Sequence, residues 1–254
     1  MPYYLKENKI ELLKNGKDYF ASVIESIKQA RQSIFVEAYI FSHDVTGIKI
    51  LTALKEAARR NIDVYLLLDG FGSRDLSQKV IDEIKSSKIH FLFYHPKISP
   101  YQMKRISLRR LHRKMFLIDH KIAYVGGINI IDDSNVPNGK APRIDYAAQL
   151  KGPVVCFISQ SMVKLWKRVS WSHLEKSYIP KHIKKNIALY PNGTKLSFIE
   201  RDNFRHRQDI EKAYLHAIQN AKDEILIANA YFIPGKKFER ALIDAARRGV
   251  SVTL

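Results

Sequence analysis

Hydrophobic and polar positions follow two different periods over residues 18–69. Apolar residues at positions 50, 51, 53, 54, 57 and 58 recur at the spacing of one helix face, and Ile24 and Ile27 lie on a shorter amphipathic helix. The apolar runs 33–41 and 62–68 have the length of strands, and the second is typical of a parallel strand covered on both faces. The order helix, strand, helix, strand predicts an α/β fold.

The same order of elements recurs near the end of the chain. At an offset of 191 residues, five positions carry identical residues, and after a three-residue deletion the Ala-Leu and Ala-Ala-Arg-Arg segments of 53–60 recur in 241–248. Such an internal repeat indicates a duplicated unit. We predict a first domain over 1–190 and an incomplete second domain over 191–254, joined at the turn-rich segment 190–195. The identical pairs are Asp18 and Asp209, Ile27 and Ile218, Ala30 and Ala221, Ile34 and Ile225, and Phe41 and Phe232.

The chain carries a large excess of positive charge. Its 43 lysines and arginines against 25 acidic residues give a formal net charge of +18, which predicts an anionic partner, either phospholipid headgroups or nucleic acid.

The longest apolar runs are too short to span a bilayer, and the N-terminal residues lack an apolar signal region. We expect a protein that is cytosolic or held at a membrane surface. No cluster of histidine, cysteine or acidic residues has metal-ligand spacing, so neither a metal nor a cofactor is predicted.

The stretch 111–129 holds the strongest chemical signal in the chain. It combines an imidazole, an ammonium, a carboxylate, two glycines and an amide, which belong to His112, Lys114, Asp119, Gly126, Gly127 and Asn129. Two apolar, β-prone runs on either side of residues 119–121 predict a tight hairpin. If its first strand begins early enough, His112 and Lys114 share one face, while Asp119 lies at the turn as a support.

These groups suit phosphodiester chemistry. A neutral imidazole can attack phosphorus or move protons near pH 7, and ammonium and amide donors can hold the non-bridging oxygens as charge develops. Glycine at 126 and 127 permits close backbone approach. A single histidine is more often an ordinary surface or core residue, but four polar groups and two glycines at these offsets favour a functional site.

The stretch resembles the signature of the phospholipase D superfamily, H-x-K-x4-D-x6-G-[GS]-x-N, at every defined position. The segments 8–20, 66–77, 108–119, 144–155 and 225–235 are similar to bacterial cardiolipin synthases of the class without transmembrane helices. The resemblance covers nearly the whole chain. It implies a phospholipase D-like mixed sheet flanked by helices, with one complete unit and the start of a second repeat.

The resemblance also implies roles for individual residues. His112, Lys114 and Asp119 are expected to be catalytic, and the histidine to form a phosphohistidine intermediate without a metal. Asp145 is expected to accept a proton from the histidine and orient it, although a surface acid at a strand edge is the alternative. The residues expected to bind phosphate or to support the site are Gly126, Gly127, Asn129 and Asp145. The position of Gly127 is serine in many relatives, so this chain has one hydroxyl donor fewer.

Three functions remain open. The first is a phosphatidyltransferase of cardiolipin synthesis, peripheral on the cytoplasmic side of the cell membrane, with phosphatidylglycerol as donor and a second phospholipid alcohol as acceptor. The second is a phosphodiesterase or nuclease acting as a homodimer, which is less favoured because one-motif members are shorter and lack a second repeat. The third is a non-enzymatic, truncated product. Leu254 aligns with Leu66, and a second motif would fall near position 300, past the end of this sequence, so the second histidine would be absent.

Two further features lie outside the motif. Glu37 is an acid inside an apolar strand, so we expect it to pair with a basic residue. Trp166 and Trp171 are interleaved with basic residues, a composition that suits a membrane interface, and packing within a helix explains them equally well.

Overall fold

The chain forms two compact units. The computed structural model describes residues 3–95, 110–136, 140–173, 188–200, 208–229 and 231–254. The first unit spans Leu5–Leu196, and the second contains Ser197–Leu254. The first unit extends past the boundary that we predicted at residue 190, because the strand Thr194–Leu196 pairs with the first strand of the chain.

A mixed eight-stranded sheet forms the centre of the first unit. In chain order its strands are β1 (Leu5–Lys14), β2 (Ser33–Ala38), β3 (Asp63–Asp69), β4 (His90–Tyr94), β5 (Met115–Ile118), β6 (Ile122–Gly126), β7 (Tyr146–Lys151) and β8 (Thr194–Leu196). Across the sheet they lie in the order β4-β3-β2-β5-β6-β7-β1-β8. β2, β3 and β4 are parallel to one another. The apolar runs of the sequence predicted this for β2 and β3. All other neighbouring strands of this sheet pair antiparallel.

Helices cover both faces of this sheet, and they are α1 (Asn15–Gln29), α2 (Val45–Arg59), α3 (Gln78–Ser86) and α4 (Val154–Ser172). On one face, Ile34 and Val36 of β2 join buried residues of α1 and α2 in the main core. On the other face, Phe35 stacks on Tyr65 with ring centroids 4.4 Å apart, and Tyr65 meets Trp166 of α4 at 5.1 Å. The predicted α/β fold, a large mixed sheet flanked by helices, is confirmed.

The predicted hairpin consists of β5, a turn at 119–121 and β6. Its register runs from Met115 opposite Val125 to Ile118 opposite Ile122. The turn places Asp119 at a positive φ of 51°, a conformation that short polar side chains tolerate. β5 begins only at Met115, so the two basic residues of the motif lie before the strand and not within it.

The second unit repeats the element order helix, strand, helix, strand. Its elements are α5 (Asp209–Asn220), β9 (Glu224–Leu226), α6 (Lys236–Arg247) and β10 (Ser251–Thr253). The parallel strands β9 and β10 pair Glu224 with Ser251. At the offsets found in the sequence, these residues are the counterparts of Ser33 and Asp63, which pair in β2 and β3. The two units therefore share strand register as well as element order.

An arginine makes the same contact in both units. Nη2 of Arg60 donates to the carbonyl of Ile27 at 2.9 Å, and Nη2 of Arg248 donates to the carbonyl of Ile218 at 3.0 Å. Each bond joins the residue after one helix to the preceding helix of its own unit. The recurrent Ala-Ala-Arg-Arg segment thus has the same structural role twice.

Asn8 joins three segments of the first unit. Its side chain is fully buried. Nδ2 donates to the carbonyls of Leu5 at 2.7 Å and Thr194 at 3.2 Å, and Oδ1 accepts the N–H of Val154 at 2.8 Å. Asn8 therefore connects β1, β8 and the N-terminus of α4.

We expect Asn8→Ala to lower the free energy of unfolding by about 3 kcal/mol, because each buried donor or acceptor left without a partner costs roughly 1–3 kcal/mol. Asn135→Ala is the matched control, since the bonds of Asn135 are exposed, and it should cost less than about 1 kcal/mol. Urea unfolding followed by circular dichroism measures both variants. Equal unfolding midpoints would contradict this role of Asn8.

Candidate active site

A buried carboxylate holds the segment that carries the candidate histidine. Asp69 lies at the C-terminal end of β3 and is 1% exposed. Its Oδ1 accepts the backbone N–H groups of Phe71 at 3.0 Å and Gly72 at 2.9 Å. Its Oδ2 accepts the backbone N–H of Leu111 at 2.7 Å. One side chain thus joins the loop after β3 to the residue immediately before His112.

Asp69 is a functional residue that the sequence pattern alone does not single out. The available signal was an acid at the end of a buried parallel strand, followed by Gly70. Open α/β sheets bind their ligands at this edge. What the sequence could not show is that Leu111, 42 residues away, would meet this carboxylate.

His112 is exposed to solvent. The ring centroid lies 4.8 Å from that of Tyr39, at a tilt of 49°. Partial burial and the neighbouring Lys114 ammonium lower the pKa of His112, while the negative charge of Asp69 opposes the shift. The pKa therefore falls below its ordinary value of 6.5, and the ring is neutral near pH 7. A neutral, accessible imidazole is the form that can act as a nucleophile.

Lys114 lies beneath the histidine and is 6% exposed. Its Nζ donates to the carbonyl of His112 at 3.2 Å and lies 5.1 Å from the ring centroid of Tyr39. Burial lowers the pKa of Lys114 to about 8, against the opposing charges of Asp145 and Asp69. At neutral pH the side chain still carries its charge, in surroundings where an anion is attracted strongly.

Asp145 approaches Lys114 and not the histidine. Its carboxylate raises the pKa of Lys114, and its Oδ1 accepts the N–H of Tyr146 at 2.7 Å. Within the described residues, no hydrogen bond joins Asp145 to His112. In this structure Asp69 is the acid whose charge acts on that ring, and the orienting role expected of Asp145 stays a prediction.

The two glycines of the motif leave space for β7 and for Asp145. A Cβ atom at Gly126 would lie 2.5 Å from the Cα atom of Ala147, so β6 and β7 could not approach as they do. A Cβ atom at Gly127 would lie 2.3 Å from Oδ1 of Asp145. Glycine at 127 thus accommodates the carboxylate, and a serine there would require Asp145 to move.

Asn129 is oriented by a backbone contact. Its Oδ1 accepts the N–H of Ile40 at 3.2 Å, which bridges the segment after β6 to the segment after β2. With Oδ1 committed, Nδ2 is the atom of this amide that can donate to a ligand oxygen. The expected phosphate-binding role of Asn129 stays a prediction.

Asp119 does not join the other catalytic candidates. It lies at the far end of β5 from Lys114, and its carboxylate accepts the backbone N–H groups of Arg31 at 2.9 Å, Gln32 at 2.7 Å and Ser33 at 3.0 Å. These contacts hold the start of β2 against the hairpin turn. These contacts favour a supporting role at the turn, and the catalytic role expected of Asp119 stays a prediction.

Glu37 pairs with a basic residue, as expected. It is 3% exposed in β2, and its Oε2 lies 3.3 Å from Nη1 of Arg113. The same Nη1 donates to Oγ of Ser161 in α4 at 3.0 Å. The pair anchors the motif segment between the sheet and α4, with Arg113 placed between His112 and Lys114 in the chain.

This arrangement can bind and attack a phosphodiester. The His112 residue is neutral and exposed, and the adjacent, buried Lys114 ammonium is oriented by its bond to the His112 carbonyl. The ammonium can balance charge that develops on non-bridging oxygens during attack at phosphorus. The reaction needs a further proton donor for the leaving alcohol.

The family model described as "Cardiolipin synthase, PLD-like domain" matches residues 23–151. The chain is also 39% identical over 247 residues to cardiolipin synthase B of Salmonella typhimurium. That alignment covers 97% of this chain and 59% of the relative, so the chain spans about three fifths of the relative's length.

Two solved structures share the fold. Phosphatidylserine synthase of Haemophilus influenzae is similar with a TM-score of 0.62 at 14% identity, covering 98% of this chain and 62% of that one. NucT of Helicobacter pylori is similar with a TM-score of 0.51 at 19% identity, covering 65% of this chain and 98% of that one. At these identities the likeness concerns the fold.

We expect Asp119→Ala to lower the free energy of unfolding by about 2 kcal/mol, because backbone donors lose a charged acceptor in an arrangement like that of a helix cap. The pKa of His112, measured by NMR titration, should stay unchanged. His112→Ala is the control and should alter stability by less than about 0.5 kcal/mol. A large shift in the His112 pKa on replacing Asp119 would contradict a purely supporting role.

We expect the binding of a simple phosphodiester anion to weaken as the pH rises through about 8, where Lys114 loses its proton. Dibutyl phosphate keeps one negative charge throughout, and its affinity should fall roughly tenfold between pH 7 and pH 9. Because the pKa of His112 is below its ordinary value, this residue is already neutral over the range. Calorimetric titration measures the affinity, and Lys114→Met should bind weakly at both pH values. Undiminished binding at pH 9 would show that Lys114 does not hold the phosphate.

Proposed function

The chain belongs to the cardiolipin synthase family of phospholipase D-like domains, and from this membership we propose that it acts in cardiolipin synthesis as a phosphatidyltransferase. The observation that carries the proposal is the accessible His112 ring, kept neutral beside the buried Lys114 ammonium. Both residues lie inside the matched segment 23–151. Phosphatidylglycerol is the proposed phosphatidyl donor.

In the first step, a ring nitrogen of His112 attacks the phosphorus of phosphatidylglycerol. The new N–P bond forms as the bond from phosphorus to the glycerol oxygen breaks, and glycerol leaves after taking up a proton. Lys114 and Nδ2 of Asn129 hold the non-bridging oxygens. In the second step, the hydroxyl of another phospholipid attacks the phosphohistidine, loses its proton and releases His112.

The proton for the leaving glycerol requires an acid besides His112, because that residue is bonded to phosphorus. By resemblance this acid is a second histidine from another copy of the motif. A second motif in the same protein or a homodimer would supply it. The second unit as a repeat of the first is consistent with such a pairing, and the shared strand register supports the repeat.

We further propose that the protein works peripherally on the cytoplasmic side of the cell membrane. None of the helices in the described part of the chain is long and apolar enough to cross a membrane. The net charge of +18 favours a surface rich in anionic lipid. Phosphatidylglycerol, the proposed donor, is itself such a lipid.

We expect the purified chain to form cardiolipin from phosphatidylglycerol vesicles, and His112→Ala to reduce the rate by roughly 10³-fold or more, because the residue bonded to phosphorus is lost. Mass spectrometry of extracted lipid measures the product. Trapping of a phosphorylated protein that is absent from the His112→Ala variant would support the covalent step.

The same variant distinguishes the alternatives. Absence of cardiolipin with folded, vesicle-bound protein would reject transfer by this chain alone. Cleavage of plasmid DNA that depends on His112, without lipid turnover, would instead identify a nuclease, and its binding to DNA would weaken steeply with salt.

A further inference from the structure

The outer face of α4 is a basic and aromatic stripe on the surface of the first unit. Apart from the terminal Ser172, the exposed side chains of α4 fall within an arc of about 100° on the helical wheel. They are Phe157, Gln160, Lys164, Lys167, Arg168 and Trp171. We call this set the α4 stripe.

The two tryptophans of the chain have opposite environments on this helix. Trp166 is 2% exposed and packs on Tyr65 beneath α4, whereas Trp171 is 83% exposed at the end of the stripe. Phe157, at the other end, is 43% exposed. The structure thus assigns Trp166 to the core, while Trp171 is a large aromatic side chain that is mostly exposed to solvent.

The charge of the stripe has one sign. Between its aromatic ends lie Lys164, Lys167 and Arg168, and within the described residues these three side chains form no ion pair. α4 contains no acidic residue, whereas each of α1, α2 and α3 contains at least one. The stripe is therefore a local source of positive potential. The opposite side of α4 is buried against the sheet.

We propose that the α4 stripe is the surface on which this protein docks to an anionic phospholipid bilayer. A basic amphipathic helix with exposed aromatic residues is the pattern of helices that lie in the plane of a membrane interface. Tryptophan favours the headgroup level, and long basic side chains reach the phosphates while their stems cover apolar surface. The proposal rests on the proposed function only in choosing anionic lipid as the partner.

The interaction energies suffice for reversible, peripheral binding. Each basic residue close to an anionic leaflet strengthens binding about fivefold, so the three cations of the stripe together strengthen it about 100-fold. Insertion of Trp171 and Phe157 adds apolar burial to this electrostatic attraction. A protein partner would instead require a continuous apolar centre, and the centre of this stripe is charged.

Tryptophan fluorescence can test the proposal without any catalytic turnover. In Trp166→Phe, Trp171 is the only tryptophan. On adding vesicles of phosphatidylglycerol and phosphatidylcholine, its emission should shift to the blue and be quenched by brominated lipid. Vesicles of phosphatidylcholine alone should have little effect. In the reciprocal variant Trp171→Phe, the buried Trp166 should show neither change.

A charge comparison tests the rest of the stripe. Changing Lys164, Lys167 and Arg168 together to glutamine should weaken cosedimentation with the mixed vesicles about 100-fold, which is the loss of three such contacts. The matched control changes the exposed residues Lys17, Lys28 and Lys79 of α1 and α3 to glutamine, removing the same net charge. It should weaken binding less than about threefold.

Several outcomes would overturn the proposal. One is an equal loss of vesicle binding in both triple variants. Another is vesicle binding in which aqueous iodide still quenches the fluorescence of Trp171. A third is no vesicle binding by the wild-type chain. A dimer in lipid-free solution that dissociates on Trp171→Ala would identify the stripe as a contact between copies. If vesicle binding depends on the stripe but His112→Ala does not alter cardiolipin formation, the docking surface stands and the proposed function fails.

Discussion

The buried carboxylate of Asp69 is the constraint on which the candidate site depends. It accepts backbone N–H groups from the loop after β3 and from Leu111, and thereby sets the path of the chain into His112. The segment 110–114 precedes β5, which begins at Met115. The Asp69 contact holds the start of this segment, while the Arg113–Glu37 pair and the bond from the N–H of Gly126 to the carbonyl of Lys114 hold its end. Because the same carboxylate lies near both basic groups, its charge opposes the lowering of their pKa values.

The site combines an exposed imidazole with a buried ammonium, and each depends on the other. Partial burial of His112 and, after it, the nearby Lys114 ammonium disfavour protonation of the ring and keep it nucleophilic. The opposing acids, Asp69 and Asp145, limit the shift so that Lys114 remains charged at neutral pH. On the other face of the sheet, Arg113 binds Glu37 and Ser161. His112 and Lys114 are thus the candidates for substrate chemistry, while Arg113 between them anchors the segment.

The two units show how one sequence pattern specifies one set of contacts. The recurrent arginine donates to a helix carbonyl in both units, and the parallel strands have the same register. These features depend on residues within each repeat, so they recur wherever the pattern recurs. Asp69 and its partner Leu111, by contrast, lie 42 residues apart in the chain, and their contact depends on the fold of the first unit.

The sequence by itself determined the α/β class, the parallel pair β2 and β3, the hairpin and the residues of the motif, because periodicity and turn chemistry act between near neighbours. It also indicated that Glu37 needs a basic partner, since a buried acid is costly alone. Only the tertiary structure decided that Asp119 caps the start of β2, that Asp69 holds the histidine segment, and that Trp166 is buried while Trp171 is exposed. Each of these depends on which segments, distant in the chain, the folded sheet and α4 bring into contact. The spacing of residues along the chain does not determine those contacts.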